Sequence, residues 1–103
     1  MPVKTKTQVV KRIRALAREL QALGIERLGL FGSFVRREPT PDSDVDLLAH
    51  FAPGQKTFNN YMRVVFLLEA GLERPVELLT PESLSPFIGP HILREVEYVP
   101  LEP

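Results

Sequence analysis

Two short pieces of this sequence carry side chains suited to chemistry on a phosphate: Gly32-Ser33 and, ten residues later, Asp44-Val45-Asp46. The apolar run Leu28-Gly29-Leu30-Phe31 reads as a buried strand that breaks at Gly32, where the missing side chain lets backbone approach a ligand closely. Ser33 is expected to cap the helical turn Phe34-Val35-Arg36-Arg37, so that free N–H groups behind it form an anion site. In a strand, residues two apart share a face, which sets Asp44 and Asp46 side by side, roughly 6 to 7 Å apart at the backbone. Val45 and Leu47 then point into apolar packing. Like charges so close repel, and a hard divalent cation such as Mg²⁺ removes the repulsion while bridging to substrate phosphates. The combination points to metal-dependent nucleotide chemistry.

Each half alone has a plainer reading, since Gly-Ser is a common turn and Ser43-Asp44 an ordinary loop exit. Their conjunction favours a site, and so does Leu48. A solvated strand face would carry its polar alternation to the end, whereas the residue after Asp46 on that face is apolar. Glu77 is a lone carboxylate in Pro75-Val76-Glu77-Leu78-Leu79-Thr80, and a charge among apolar neighbours must be paired, metal-bound or on an exposed edge. If this strand lies beside the Asp strand, Glu77 either completes a metal shell or accepts the proton of an attacking hydroxyl; otherwise it is an edge-strand surface residue. His50 shares the face of Asp46 but lies about 13 Å along the strand, too far to ligate the same ion. His91 has no partner visible in the sequence, and Tyr61, at helical spacing with Val64 and Leu68, reads as core.

The elements that must position these residues alternate in type. Val9, Ile13, Leu16, Leu20 and Leu23 predict one helix over about 7–23, started by Thr5 or Thr7 and stopped by Gly24. A strand follows over 26–31, the carboxylate strand over 44–51, and a helix over 58–70 ended by Gly71. The strand 75–80, short helical pieces at Pro81–Leu84 and Pro90–Glu95, and an edge strand Glu97–Val99 complete the order. This is an α/β pattern.

The 103 residues allow a single domain, 1–103, burying about 65% of the unfolded surface. Without cysteine, disulfides, thiolate metal sites and thiol nucleophiles are excluded. The apolar runs fall short of a membrane span and the basic N-terminus leads into an amphipathic helix, so the expected compartment is the cytoplasm. Net charge is zero but uneven: residues 1–37 hold nine Lys and Arg against two Glu, giving +7, and residues 38–103 hold four against eleven acids, giving −7. Lys4, Lys6, Lys11, Arg12, Arg14 and Arg18 read first as a solvated helix face. No aromatic residues interleave with them, which argues against nucleic acid as a partner.

With Gly32-Ser33, ten intervening residues and Asp44-x-Asp46 in place, the chain resembles the minimal nucleotidyltransferases of the DNA polymerase beta superfamily. Arg36 after the turn, Ser43 before the first Asp, the carboxylate in Val76-Glu77-Leu78-Leu79 and the stretch Pro90–Glu95 extend the likeness over nearly the whole chain. Two residues depart from it: Arg37 stands where Gly commonly follows the Arg, and Glu77 where Asp is more usual. The resemblance implies a small mixed β-sheet with flanking helices and transfer of a nucleoside monophosphate, AMP from ATP in the first instance, to a hydroxyl. It implies Asp44, Asp46 and Glu77 as catalytic and metal-binding residues for Mg²⁺, two ions, and Gly32, Ser33 and Arg36 as the triphosphate site for ATP or another NTP. It further implies a HEPN-domain toxin as partner and acceptor, with this chain as antitoxin. The alternative is a non-catalytic module that neutralises such a partner by stoichiometric capping.

Overall fold

The computed structural model describes residues 1–102. Its first helix, α1 (Lys6–Ala15), begins where the Thr5 side chain accepts a hydrogen bond from the Gln8 N–H. The single helix expected over 7–23 is two. The Leu16 N–H turns back to the Ile13 carbonyl at 2.9 Å, and α2 (Ala17–Ala22) starts after that tightened turn. A tertiary contact sits at the break. Leu16 packs on the bare backbone of Gly71, where an added Cβ would lie 2.7 Å from the Leu16 Cδ1. Gly71 therefore serves close packing rather than termination. Helix α3 (Phe58–Leu72) runs through it and stops at Glu73, which takes the left-handed conformation with φ 55°.

Four strands, β1 (Ile25–Phe31), β2 (Val45–Phe51), β3 (Val76–Leu79) and β4 (Glu97–Val99), form one sheet in the order β3-β2-β1-β4. β1 runs antiparallel to β2 and β4, while β2 and β3 are parallel, joined by the crossover that α3 supplies. This is the small mixed sheet with flanking helices that the family resemblance implies, on the α/β pattern of the sequence. One face carries the main core: Val9, Ile13 and Leu20 of the first two helices and Val64 and Leu68 of α3 cover Leu28, Leu30, Val45 and Leu47. The other face is covered more thinly. There Phe31 and Leu48 meet Ile92 of α4 (Gly89–Glu95), so Leu48 is fully buried as its apolar character requires. Among the described residues no helix is long and apolar enough to cross a membrane.

The two histidines have structural partners. His50 Nε2 and the Tyr98 hydroxyl are 2.8 Å apart, and the Arg27 guanidinium lies 3.7 Å from the centre of the Tyr98 ring. Burial, then the Arg27 charge, holds the His50 imidazole below its usual range. Arg94 Nη2 donates to His91 Nδ1 at 2.9 Å. Tyr61 packs against the core and its hydroxyl donates to the Leu78 carbonyl.

Candidate active site

The thinly covered face holds the acidic residues. In the parallel pairing of β2 with β3, Asp46 stands opposite Glu77, so the two carboxylates project from adjacent strands on the same side. Asp44 lies just outside β2, exposed at the loop exit. Asp46 is half-buried, and burial is the largest cause of the rise of its carboxyl to about 7. Glu77 adds to the rise by accepting the proton of neutral Asp46 and by its charge. Asp44 adds a smaller push, and Arg36 opposes it. The face therefore carries more negative charge than the protein neutralises.

Gly32 faces this pair from the end of β1, where Phe31 is the strand partner of Asp46. It adopts φ 79°, and an added Cβ would lie 2.1 Å from Asp46 Oδ2. Its missing side chain thus makes room for a carboxylate of the protein itself. A 3₁₀ turn, Gly32–Phe34, follows. Ser33 lies within that turn and does not cap it; the capping position is Phe31, which has no hydroxyl to offer. The Val35 and Arg36 N–H groups both return to the Gly32 carbonyl at 3.1 Å. Among the described residues no hydrogen bond uses the N–H of Ser33 or Phe34, and these two remain as donors beside the carboxylates.

Two residues that sequence reasoning did not single out hold this arrangement. Glu95, at the end of α4, accepts from the Gly32 N–H at 3.1 Å through Oε2 and from Arg36 Nη1 at 2.6 Å through Oε1. The Arg36 guanidinium, held further into its charged form by Glu95, therefore already has an anionic partner next to the turn. Arg74 follows the left-handed Glu73. Its Nη1 donates to the carbonyls of Thr40 at 2.9 Å, Pro41 at 3.3 Å and Ser43 at 2.8 Å, and its Nε donates to the Val3 carbonyl at 2.7 Å. One side chain thus fixes the loop that delivers Asp44. Its guanidinium also sits 5.1 Å from the centre of the buried Phe34 ring, linking that loop to the Gly-Ser turn. The sequence signal for either was slight: Arg74 is one of the adjacent charges Glu73-Arg74, and Glu95 closes the Pro90–Glu95 stretch of the family likeness with no role attached.

Arg37, the departure next to the turn, adopts φ 60°. That conformation suits Gly and costs other residues about 1–2 kcal/mol. Among the described residues no three Asp, Glu, His or Cys side chains close a ready-made shell around one ion. The oxygen-only donor set and the raised Asp46 nonetheless fit a hard divalent cation, since such an ion supplies the charge this face lacks.

A four-stranded mixed sheet that sets a Gly-Ser turn beside carboxylates on adjacent strands defines a class, the nucleotidyltransferases. Residues 10–99 match the family model described as a nucleotidyltransferase domain, and the chain belongs to that family of enzymes. It is 35% identical over 100 residues to the protein adenylyltransferase MntA of Thermococcus cleftensis, an alignment that covers 96% of this chain and 100% of the relative. A solved structure assigned as a minimal nucleotidyltransferase is 30% identical with a TM-score of 0.69, over 85% of this chain and 93% of that one. The fold is also similar, with 17% identity and a TM-score of 0.65, to the complex of a tri-AMPylated Shewanella oneidensis HEPN toxin with its MNT antitoxin, over 92% of this chain and 71% of that one.

Proposed function

We propose that this nucleotidyltransferase is a Mg²⁺-dependent protein adenylyltransferase that moves AMP from ATP to a hydroxyl of a HEPN-domain toxin and so acts as its antitoxin in the cytoplasm. The observation that carries the reading is the register of Asp46 with Glu77 beside the Gly32 turn, in a chain related end to end to an adenylyltransferase. Asp44 and Asp46 would hold the cation, two ions if the site fills as in two-metal enzymes, with Glu77 as a further ligand or as the base for the attacking hydroxyl. When bound, Mg²⁺ offsets the carboxylate repulsion and the phosphate charge. The Ser33 hydroxyl and the free N–H groups of Ser33 and Phe34 would bind triphosphate oxygens, and Arg36 would turn from Glu95 to the same anion. The acceptor oxygen forms its bond to the α-phosphorus as the bond to pyrophosphate breaks, and the hydroxyl proton passes to Glu77 or to water. Rate then comes mainly from positioning and charge neutralisation.

Capping without catalysis is the second reading. It is favoured by Glu95, which occupies the Gly32 N–H and Arg36, and by the strained Arg37. Thermal unfolding separates the two. With Mg²⁺ and a non-hydrolysable ATP analogue at a hundred times Kd, the enzyme reading predicts about 2.7 kcal/mol of stabilisation, a rise of about 10 °C or more for a domain of this size. The Asp44→Asn, Asp46→Asn double variant should show no rise. An unshifted wild type would leave capping as the function.

A further inference from the structure

The exposed side of the first two helices carries a groove that none of the chemistry above uses. Thr7, Val10, Lys11, Arg14, Ala17 and Arg18 recur at three- and four-residue spacing and form one wall. Leu101 and Glu102 of the C-terminal segment line it too, as does Arg37, and the open space is about 880 Å³. It includes none of the three carboxylates. Arg37 nevertheless joins it in sequence to Arg36 and the Gly-Ser turn, and also borders an adjoining cavity of about 420 Å³ with Lys4 and Pro39.

Folding alone does not account for this lining. Among the described residues Lys11, Arg14, Arg18 and Arg37 have no salt-bridge partner, whereas Lys6 is paired with Glu97. Lys11 and Arg14 are like charges one turn apart on α1, and Arg18 of α2 adds a third cation to the same wall. The left-handed Arg37 adds its own backbone cost. Unpaired like charges thus line one groove, and an anionic occupant would neutralise them. The lining also selects the kind of anion. Apolar Val10, Ala15, Ala17 and Leu101 lie among the cations, and no aromatic ring is present on which a base could stack.

We propose that this groove binds an acidic, amphipathic segment of the acceptor protein. The proposal rests on the adenylyltransferase reading for the identity of the partner and not for the groove's chemistry.

Fluorescence anisotropy tests it, with a labelled helical peptide that bears Glu on one face and Ala and Leu on the next, the same peptide with Gln for Glu, and a single-stranded RNA oligonucleotide. The intact chain should bind the Glu peptide in a salt-dependent manner, and Arg14→Glu, Arg18→Glu should weaken it by about tenfold or more. Arg37→Gly should weaken it several-fold without loss of thermal stability, since Gly accepts the same φ. The melting shift with Mg²⁺ and the ATP analogue should survive in all these variants. Equal binding of Glu and Gln peptides, unchanged affinity after charge reversal, no peptide binding, or tighter binding of RNA would each overturn the proposal. Loss of the peptide arm with the melting shift intact removes the groove alone; loss of the shift with peptide binding intact removes the nucleotide-site reading alone.

Discussion

Replacing Asp46 by Asn should abolish nucleotide transfer and, in metal-free protein, raise stability above neutral pH. The two effects share one cause. As a proposed ligand, Asp46 supplies charge worth several kcal/mol to transition-state stabilisation, so transfer should fall by about 10³-fold or more. Without a cation that charge is a liability. The folded protein keeps Asp46 protonated up to about 7, while the unfolded chain releases the proton near 3.8. The native state therefore binds more protons in that interval, wild-type stability falls as pH rises through it, and the loss is complete above 7. Asn has the same shape, donates to Glu77 as the protonated carboxyl does, and does not titrate. Urea unfolding at pH 5 and pH 8 in the presence of a chelator should show the variant gaining on wild type as pH rises. A constant difference between the two would contradict the assignment.

Gly32→Ala should be among the most damaging changes of a single methyl group in the chain. Gly32 and Gly54 both adopt a left-handed φ, 79° and 77°. A Cβ at Gly54 meets nothing within 4 Å, so Gly54→Ala should cost only the backbone term of about 1–2 kcal/mol. At Gly32 the same term is joined by a contact of 2.1 Å to Asp46 Oδ2, which forces the carboxylate or the turn to move. A total of about 3 kcal/mol or more is expected, together with loss of nucleotide binding. Denaturant unfolding of the two variants side by side isolates the carboxylate contact. Equal costs at the two glycines would show that Asp46 does not need the space.

The site and the sheet were legible in the sequence to different depths. Apolar runs broken by Gly, and Val45 and Leu47 alternating with Asp46, define strands locally, and the main-core periodicity of α1, α2 and α3 is carried by their own residues. Leu48 signalled that the face of Asp46 is covered. Long-range partners were not legible. Glu95 lies 63 residues from the Gly32 it bonds, and nothing near it distinguishes it from a solvated helix-end acid. Arg74 acts on carbonyls, which have no sequence signature, and Gly71 looks like a helix stop until Leu16 is packed against it. Gly32 also meets a demand that only the fold reveals. Its bare backbone faces Asp46 of this chain, and the open N–H donors begin one residue later.

The most direct test of adenylyl transfer is the intact mass of the proposed HEPN-domain partner after incubation with this protein, Mg²⁺ and ATP. The partner should become heavier by one or more adenylyl groups with wild type and stay unchanged with the Asp44→Asn, Asp46→Asn double variant. An unchanged partner mass with wild type, in a mixture where both proteins neutralise the toxin equally, would contradict the account and make the chain a cap.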